Sequence, residues 1–453
     1  MQKTDLVVVG GGPAGYVPAI RAAQLGKSVV VLEGEELGGT CLNQGCIPTK
    51  TLAATAHLLR RSRECSKLGL SGSLEMSWEA VLKRKNLVVT RLRKGIEAHL
   101  EHLGVQVLRN RGVLTGPGVV EAGGKRHEAD NVLLSPGSVP LVPGFLDVPG
   151  VLTSTDVLNW QTLPVSLVIV GGGVIGCEFA SILAAFGVKV TIVEMLPNIL
   201  PGVDRDVSAV VARSLARAGV KILTGSGSRG VELNGSDATV HLADGTSVTA
   251  ERILAAIGRR PRTADMGLRE TGVALDPRGC IRVDQHCLTS LPGVYAAGDA
   301  TGMWWLAHAG SAQGLAAVHH AFGARERPVD PDCMPGCIFT DPEVATVGPG
   351  EDQWRERGVA VRTGTARYIA NGKAVGMNET EGFVKIISRE DDDTVVGVQI
   401  VGADASSLVS GAVLAVNAGV KAGEWSRFIH PHPTLSELFM EGAESLGTGA
   451  FHG

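Results

Sequence analysis

The sequence predicts an α/β protein that contains one strand–turn–helix–strand unit twice and then continues into an α+β C-terminal region. The repeated unit is indicated by two short apolar runs, Leu6–Val9 and Ser166–Val170, each of which leads into a glycine-rich turn. The C-terminal region is indicated by the apolar runs Phe383–Ile387 and Val395–Val401, which flank an acidic triplet typical of a hairpin turn. A chain of 453 residues is long enough for about three domains. Changes of pattern divide it into four predicted segments, which are 1–150, 151–270, 271–345 and 346–453.

Composition and charge exclude several classes of protein. Hydrophobic residues make up 44% of the chain, which is too large a share for a disordered protein. The formal net charge of −4 argues against the concentrated basic surface that binders of nucleic acid or anionic membranes need. No segment approaches the ~18 apolar residues that span a bilayer, and the N-terminal residues lead into a strand rather than a signal peptide. We therefore expect a cytoplasmic protein without nucleic-acid or membrane partners.

The two repeated units share the spacing of a dinucleotide-binding fold. Their turn glycines are Gly10, Gly12 and Gly15 in the first copy and Gly171, Gly173 and Gly176 in the second. In both copies the first glycine lies 23 residues before an acid that ends the next apolar run, Glu33 or Glu194. The glycines permit a tight turn and a close approach to a pyrophosphate at the helix N-terminus, and the acid accepts hydrogen bonds from a ribose. Two complete copies favour two Rossmann-like dinucleotide-binding domains over unrelated glycine turns.

Other elements follow from the apolar pattern. An amphipathic helix is predicted over Ser77–Leu103, and strands are predicted over Val105–Val113 and Asn131–Leu134. Further along the chain, the pattern predicts strands over Arg252–Ile257 and Gly293–Ala297 and a helix over Leu408–Ala418.

Cys41 and Cys46 form a candidate redox pair. On an ideal helix their side chains point about 140° apart, so a disulfide between them needs a distorted turn, which Gly45 and Pro48 permit. In a reducing compartment eight cysteines are not a disulfide framework, and a close pair is more typical of catalysis than of two buried thiols that never pair. The other cysteines show no metal-ligand spacing, so no metal site is predicted.

Several motifs resemble those of the flavoprotein pyridine nucleotide–disulfide oxidoreductases. They are Gly38-Gly-Thr-Cys41-Leu-Asn-Gln-Gly-Cys46-Ile-Pro-Thr-Lys50, Ala256-Ile-Gly-Arg-Arg-Pro261, Ala296-Ala-Gly-Asp299, Leu306-Ala-His308, Phe339-Thr-Asp-Pro-Glu-Val-Ala-Thr-Val-Gly348 and His432-Pro-Thr-Leu-Ser-Glu437. They occur in the family's order across essentially the whole chain. The combination is most similar to the members that oxidise dihydrolipoamide.

The resemblance implies the cofactors and the role of each segment. The first domain, completed by segment 271–345, would bind FAD, the second domain would bind NAD, and the α+β region would be a dimerisation domain. On the FAD side the implied residues are Gly10, Gly12, Gly15, Glu33 and Asp299; on the NAD side they are Gly173, Gly176, Glu194 and Gly258. The remaining cofactor-binding residues of the motifs are Gly39, Thr40, Lys50, Gly137, Gly171, Arg259, Leu306, Ala307 and His308.

The resemblance also implies catalytic roles. Cys41 would exchange with the substrate, and Cys46 would contact the flavin. His432 would be the general base that deprotonates a dithiol, Glu437 would orient its ring, and His430 would make only local hydrogen bonds. Lys50 and Glu178 would be a buried pair beside the flavin, each offsetting the other's desolvation cost. Since His432 would reach Cys41 of the other subunit, activity would require a homodimer.

The implied reaction is oxidation of protein-bound dihydrolipoamide by NAD⁺. The implied partner is the lipoyl domain of an acyltransferase subunit or the glycine cleavage carrier protein. A glutathione-type reductase that uses NADPH is one alternative, which Glu194 opposes because a carboxylate repels a 2′-phosphate. A mercuric-ion reductase is disfavoured because no cysteine follows Cys337. A non-catalytic FAD-binding subunit of a multienzyme complex is the alternative from another class.

Two departures from the family pattern bear on FAD affinity. Ser135-Pro-Gly137 stands where the family usually has Ala-Thr-Gly. Pro18 lies within the first nucleotide helix, where proline is tolerated only near the first turn.

Overall fold

The computed structural model describes residues 3–235, 237–324, 328–447 and 449–452. The chain divides into two compact units, each built from three stretches of sequence. Unit 1 comprises Met1–Thr51, Glu79–Leu141 and Gly258–Val329. Unit 2 comprises Leu52–Trp78, Val142–Ile257 and Asp330–Gly453.

Unit 1 is built on a seven-stranded sheet. In sheet order its strands are Gln106–Leu108, Val29–Leu32, Thr4–Val9, Lys125–Leu134, Val119–Ala122 and Gly112–Gly116, with Val294–Ala296 also paired to Lys125–Leu134. The central strands Thr4–Val9, Val29–Leu32 and Lys125–Leu134 pair in parallel. Their apolar residues are buried on both faces, as continuous Val and Leu runs predict for parallel strands. Ser138–Pro140 and Arg259–Pro261 form a separate antiparallel pair.

The region predicted as a single strand over Val105–Val113 is two strands, and the prediction is wrong there. Gln106–Leu108 lies at the parallel edge, and Gly112–Gly116 belongs to the antiparallel part of the same sheet. The residues between them turn the chain, with the Asn110 N–H donating to the Leu108 carbonyl. Arg109 forms surface ion pairs with Glu36 and Glu97, so the polar stretch has no apolar face to continue a strand.

Helices cover the sheet of unit 1. The helices that contain residues of unit 1 are Pro13–Gln24, Gly39–Gln44, Cys46–Arg63, Trp78–His102 and Ala307–Ala321, together with the 3₁₀ turn Gly298–Thr301. Trp78–His102 confirms the predicted long helix. Leu6, Val8 and Val31 pack against Ala19 and Ala317 in the core between sheet and helices.

Pro18 is tolerated beyond the first turn of Pro13–Gln24, contrary to the expectation that only the first turn accepts it. A Cβ on Gly314 would lie 2.7 Å from the Pro18 Cγ and 2.8 Å from the Ala14 carbonyl oxygen, so helix Ala307–Ala321 approaches closely here. Pro18 has no N–H to donate to that Ala14 carbonyl. The buried ring instead fills the space beside Gly314, and this packing offsets the missing hydrogen bond.

Unit 2 contains the second copy of the repeat. Its parallel sheet has the order Lys221–Leu223, Lys189–Val193, Ser166–Val170, Arg252–Ala255 and Val151–Leu152. An antiparallel sheet of Ser228–Asn234, Asp237–Leu242 and Ser247–Ala250 accompanies it. The associated helices are Ser154–Val157, Val174–Ala185 and Arg205–Arg217.

The C-terminal part of unit 2 is an α+β arrangement. Its antiparallel sheet has the order Pro335–Ile338, Glu343–Val347, Val395–Gly402, Phe383–Arg389 and Val361–Arg367. Its helices are Glu351–Glu356, Gly372–Met377, Ala405–Ala418, Ala422–Trp425 and Glu437–Glu444, and 3₁₀ turns occur at Cys65–Leu68, Pro331–Cys333 and Tyr368–Ala370. The acidic triplet forms the predicted hairpin turn, where Asp391 pairs with Arg389 and Asp392 with Lys421.

Among the described residues, no helix combines the length and apolar character needed to cross a membrane.

Candidate functional site

The first glycine-rich turn accepts only glycine at two positions. Gly10 has φ +103°, and a Cβ there would lie 2.2 Å from the Ser135 carbonyl oxygen. A Cβ on Gly15 would lie 1.9 Å from the Gly10 carbonyl oxygen. Gly12, by contrast, would place a Cβ at an ordinary contact distance of 3.7 Å from the Gly39 Cα, so the start of helix Pro13–Gln24 has room for a side chain there.

The second turn repeats these contacts one by one. Gly171 has φ +112° and would place a Cβ 2.4 Å from the Ala256 carbonyl oxygen, and Gly176 would place one 2.0 Å from the Gly171 carbonyl oxygen. Gly173, like Gly12, lies at a helix N-terminus, and a Cβ there would have no neighbour within 4 Å. Helix N-termini with exposed N–H groups favour phosphate, and the space beside Gly12 and Gly173 leaves room for it. Both turns therefore fit a dinucleotide pyrophosphate.

The two closing acids are held by backbone N–H groups in the same way. Glu33 accepts from the Gly11 N–H at 2.6 Å and from the Glu35 N–H at 2.7 Å. Glu194 accepts from the Gly172 N–H at 2.6 Å and from the Leu196 N–H at 2.8 Å. Each carboxylate oxygen retains a lone pair for a ribose hydroxyl, so this geometry fits the role expected from the sequence.

Gly11 and Gly172, which donate these bonds, were missed by the sequence reasoning. The signal that could have found them is the run of three consecutive glycines in both copies, Gly10-Gly11-Gly12 and Gly171-Gly172-Gly173, in which they are the middle residues.

Ser135 supports the first turn through its side chain. Its Oγ lies 2.9 Å from the Gly10 carbonyl oxygen and 3.1 Å from that of Val9. The departure from the family pattern at Ser135-Pro-Gly137 therefore places a hydroxyl against the turn. In the second unit the corresponding neighbour is Ala256, which has none.

The segment with the cysteines docks on the first turn. The Gly38 N–H donates to the Gly11 carbonyl at 2.9 Å, and a Cβ on Gly39 would lie 2.7 Å from the Gly12 Cα. The Asn43 side chain, also missed by the sequence reasoning, donates to the Leu37 and Gly39 carbonyls at 3.0 Å. These contacts place the helix Gly39–Gln44, with Thr40 and Cys41, beside the FAD-type turn.

Cys41 and Cys46 lie on either side of a break between two helices. Helix Gly39–Gln44 ends at Gly45, whose φ of −148° and ψ of −110° are not helical, and the next helix begins at Cys46. This confirms the distorted turn that the pairing was expected to need. The two thiols are hydrogen-bonded to each other.

The hydrogen bond between the two thiols changes the pKa of Cys41. Hydrogen bonding to Cys46 raises the pKa of Cys41 strongly, burial and the charge of Cys46 raise it further, and Lys50 opposes these effects. The protonated Cys41 thiol is therefore the hydrogen-bond donor of the pair, with the Cys46 sulfur as its acceptor.

Lys50 lies in unit 1 and Glu178 lies in unit 2. Lys50 is one helical turn after Cys46 in helix Cys46–Arg63. Glu178 is buried in helix Val174–Ala185, where its carboxylate accepts from the Phe339 N–H at 2.9 Å. Their pairing remains a prediction.

His432 and Glu437 form a hydrogen-bonded pair. The His432 Nδ1 lies 2.8 Å from Glu437 Oε1, and Glu437 Oε2 accepts from the Thr434 N–H at 2.8 Å. Burial opposes ionisation of Glu437, but the bonds from Thr434 and His432 outweigh it and lower the pKa of Glu437. The ring is thereby oriented with Nε2 as the nitrogen that can exchange a proton, and its side chain is 77% exposed.

His430 differs from His432 in its partner. Its Nδ1 lies 2.9 Å from the Phe428 carbonyl oxygen, which is the local hydrogen bond that the sequence predicted.

Gly258 and Arg259 lie with unit 1, whereas Gly173, Gly176 and Glu194 lie in unit 2. The Arg259 guanidinium contacts Ser138, which in turn contacts Asp299 on the 3₁₀ turn Gly298–Thr301. Gly137, with φ +74°, immediately precedes Ser138. Leu306, Ala307 and His308 lie at the start of helix Ala307–Ala321 in the same unit.

Comparisons with known proteins show similarity over nearly the whole chain. Residues 4–321 match the family described as pyridine nucleotide-disulphide oxidoreductase, and residues 334–443 match the dimerisation domain of that family. The chain is 38% identical to a dihydrolipoyl dehydrogenase of Bacillus subtilis, with 99% of each chain covered. It is 37% identical to a dihydrolipoyl dehydrogenase of Geobacillus stearothermophilus, with 98% of this chain and 97% of the relative covered.

Two solved structures also resemble the chain. LpdA from Mycobacterium tuberculosis matches with a TM-score of 0.92 and 31% identity over 98% of this chain and 99% of that chain. The HOCl-induced flavoprotein disulfide reductase RclA from Escherichia coli matches with a TM-score of 0.87 and 28% identity over 97% of this chain and 99% of that chain. These matches confirm the predicted fold class, with two Rossmann-like domains followed by a C-terminal dimerisation domain.

Proposed function

Because the chain belongs to the pyridine nucleotide–disulphide oxidoreductases, we propose that it is a dihydrolipoyl dehydrogenase that oxidises protein-bound dihydrolipoamide with NAD⁺. It acts through FAD and a disulfide between Cys41 and Cys46. The observation that carries this proposal is the presence of two complete reacting pairs, the hydrogen-bonded thiols Cys41 and Cys46 and the oriented base His432–Glu437. The likeness to relatives with this name along the full chain supports the choice of substrate.

In the first half-reaction a substrate thiolate attacks the Cys41 sulfur of the disulfide. A substrate–Cys41 bond forms as the Cys41–Cys46 bond breaks, and Cys46 leaves as a thiolate. The second substrate thiol then attacks its own sulfur on Cys41, which releases oxidised lipoamide and the Cys41 thiolate. The chain has gained two electrons, and Cys46 holds the negative charge because its thiolate accepts the hydrogen bond from protonated Cys41.

His432 moves the protons in this half-reaction. Its Nε2 takes the proton of the first substrate thiol and releases it to solvent, and then takes the proton of the second thiol, because only a thiolate attacks. The second proton passes from His432 to the Cys41 thiolate. Glu437 holds Nδ1 and stabilises the imidazolium that forms. In a homodimer the base for Cys41 is the partner subunit's His432.

The two nucleotide turns of the chain bind the cofactors. FAD, when bound, supplies an acceptor for the electron pair of the thiols and a donor of hydride to NAD⁺. Gly10, Gly12 and Glu33 hold FAD, and Gly171, Gly173 and Glu194 hold NAD. Glu194 also selects against NADP⁺, because its carboxylate, which the Gly172 and Leu196 N–H groups hold, would repel a 2′-phosphate.

The proposed partner is a lipoyl domain of an acyltransferase subunit or the glycine cleavage carrier protein, met by the homodimer in the cytoplasm. The exposed ring of His432 in a single chain supports the proposal that it acts on the thiols of a second subunit.

A steady-state comparison on the purified yellow protein tests the proposal. We expect rapid turnover with dihydrolipoamide and NAD⁺ and little with glutathione disulfide and NADPH. Glu194→Ala should reduce the preference for NAD⁺ over NADP⁺. Greater efficiency with glutathione disulfide and NADPH would replace this function with that of a glutathione-type reductase. Absence of turnover with either pair would favour a non-catalytic FAD-binding subunit.

A further inference from the structure

Three side chains form a hydrogen-bonded relay inside unit 1. The Arg259 Nε donates to the Ser138 Oγ at 2.7 Å, and Arg259 Nη2 donates to the Ser138 carbonyl at 3.0 Å. The Ser138 hydroxyl in turn donates to Asp299 Oδ2. Ser138 is only 3% exposed. A hydroxyl that accepts from a cation and donates to a carboxylate is polarised in one direction, which strengthens both bonds.

The backbone explains how Arg259 reaches this position. Strand Arg259–Pro261 pairs antiparallel with Ser138–Pro140, with Pro261 opposite Ser138. The Arg262 N–H also donates to the Gly137 carbonyl at 2.9 Å. The strand therefore lies against the turn that follows the central sheet strand Lys125–Leu134, within unit 1. Arg260, the next residue of the same strand, is exposed.

The charges of the relay depend on one another. Burial raises the pKa of Asp299, whereas Ser138 and Arg259 lower it. Burial also lowers the pKa of Arg259, and the charges of Asp299 and Cys46 oppose that effect while Arg262 adds to it. Arg259 is the charged side chain that acts on Asp299, and Arg262 and Cys46 act on Arg259 in turn. Without Arg259, the Asp299 carboxylate would lose the cation that favours its ionised form.

We propose that Arg259 is a positioning residue of the FAD site, which fixes the Asp299 carboxylate for FAD through the hydroxyl of Ser138. The sequence motif implied only that Arg259 binds a cofactor and did not assign it to FAD or NAD. The inference rests on the proposed function only in taking FAD as the ligand of unit 1.

Binding of FAD to the apoprotein, followed by quenching of flavin fluorescence, tests the role directly. Arg259→Met should raise the Kd for FAD by about 10-fold or more, since it removes the cation from a charge-assisted network. Arg260→Met is the matched control on the same strand and should change the Kd by less than about 2-fold. Ser138→Ala should weaken binding in the same way as Arg259→Met, because the relay is broken at its middle.

A double-mutant cycle shows whether Arg259 acts through Asp299. In an Asp299→Ala background, Arg259→Met should change the FAD Kd by less than about 2-fold, because the group it positions is absent. An unchanged effect of Arg259→Met in that background would overturn the proposal. The proposal would also be overturned if Arg259→Met had the same Kd for FAD as the Arg260→Met control but a higher Kd for NADH. That result would place Arg259 at the nicotinamide site.

The pH profile of FAD binding separates positioning from a loss of local packing. FAD affinity should fall as the pH falls through the pKa of Asp299, because protonation removes the acceptor. In Arg259→Met this midpoint should move to higher pH, since the cation that lowers the pKa is gone. A uniform weakening at every pH, with the midpoint unmoved, would show that Arg259 supports only the packing. None of these measurements uses a dithiol substrate, so they remain decisive even if dihydrolipoamide is not oxidised.

Discussion

At the scale of single residues, hydrogen-bond partners set the pKa and the orientation of the reacting side chains. Cys41 and Cys46 are alike in chemistry, yet their hydrogen bond raises the pKa of Cys41 strongly. His430 and His432 are two residues apart, yet only His432 is oriented by a carboxylate. Position within a hydrogen-bond network therefore distinguishes residues that are chemically identical.

The two cysteines should differ in the long-wavelength absorption band that a thiolate beside oxidised flavin produces. Wild-type enzyme should show this band after two-electron reduction of the disulfide. Cys41→Ser, which has no disulfide, should show it from the Cys46 thiolate before any reductant is added, but it should lose turnover because the substrate-exchanging thiol is absent. Cys46→Ser should lose both. Absorbance on titration with dithionite checks this, and a band that persists in Cys46→Ser would reverse the two assignments.

His432 should matter only in the thiol half-reaction. His432→Gln should slow reduction of the enzyme by dihydrolipoamide by at least about 10²-fold, the low end for a positioned base, and affect reduction of the flavin by NADH much less. Glu437→Gln should give a smaller loss of the same kind, and His430→Gln is the matched control. Stopped-flow measurement of both half-reactions checks this. Equal slowing of the two halves by His432→Gln would make it a structural histidine.

At the scale of elements, the glycines of each turn differ in whether the packing of the fold requires them. Gly15 lies where a Cβ would overlap the Gly10 carbonyl oxygen, whereas a Cβ on Gly12 would meet only the Gly39 Cα, at 3.7 Å. In the second turn a Cβ on Gly176 would overlap the Gly171 carbonyl oxygen, whereas one on Gly173 would have no neighbour within 4 Å. One motif thus contains glycines that the fold requires and glycines that we expect the ligand to require.

Alanine at Gly12 and Gly15 should therefore have different effects on the apoprotein. Gly15→Ala should lower its melting temperature, because a Cβ 1.9 Å from an oxygen forces the helix and turn apart. Gly12→Ala should leave the melting temperature nearly unchanged but weaken FAD binding by about 10-fold or more, because the methyl group occupies the phosphate side. Differential scanning fluorimetry of the apoprotein and FAD titration check the pair. Equal destabilisation by the two changes would contradict this division.

The second half of helix Cys46–Arg63 is held in unit 2 by a charge cluster. Asp341 lies 3.3 Å from the His57 Nδ1 and 3.2 Å from the Arg60 Nη1. The hydrogen bond to Asp341 raises the pKa of His57, although burial opposes it. Burial would raise the pKa of Asp341, but His57 and Arg60 together lower it.

Stability should depend on pH through His57. Because its folded-state pKa is raised, its contribution is present below the unfolded value of about 6.5 and is lost as the pH rises through the folded value. His57→Gln should therefore lower the melting temperature at about pH 5.5 and leave it unchanged at about pH 8.5. The side chain is 47% exposed, so solvent screening should keep the loss below about 1 kcal/mol. His99→Gln, on helix Trp78–His102, is the control; a His57→Gln effect that grows with pH would contradict the sign.

At the scale of the whole molecule, activity should require two subunits. Residues 334–443 match a dimerisation domain, and this part of the chain carries His432 and Glu437, whereas Cys41 and Cys46 lie near the N-terminus. In the proposed enzyme each thiol pair is served by the base of the other subunit.

Complementation between inactive subunits tests this arrangement. A heterodimer of one Cys41→Ser subunit and one His432→Gln subunit, isolated with two different tags, should have about half of wild-type activity, because one of its two sites is intact. The two homodimeric variants should be nearly inactive. An inactive heterodimer would show that His432 acts on the thiols of its own subunit.

Local patterns in the sequence predict the repeated nucleotide units and the redox pair, because each depends on residues close together in the chain, and the family resemblance supplies the role of His432. Steric demands at Gly10 and Gly15, the helix break at Gly45 and the spacing from His432 to Glu437 are local, and local patterns encode them. The apolar pattern predicted one strand over Val105–Val113, where the structure has the two strands Gln106–Leu108 and Gly112–Gly116. A polar break of three residues does not interrupt the apolar pattern strongly enough to separate them.

Contacts between residues that are distant in the chain could not be predicted from the sequence and are visible only in the fold. Ser135 supports the turn at Gly10, and Arg259 reaches Asp299 through Ser138, in contacts between residues far apart in sequence. Such contacts depend on strand pairing and on burial, which decide where a polar side chain finds its partner, and no local periodicity records them.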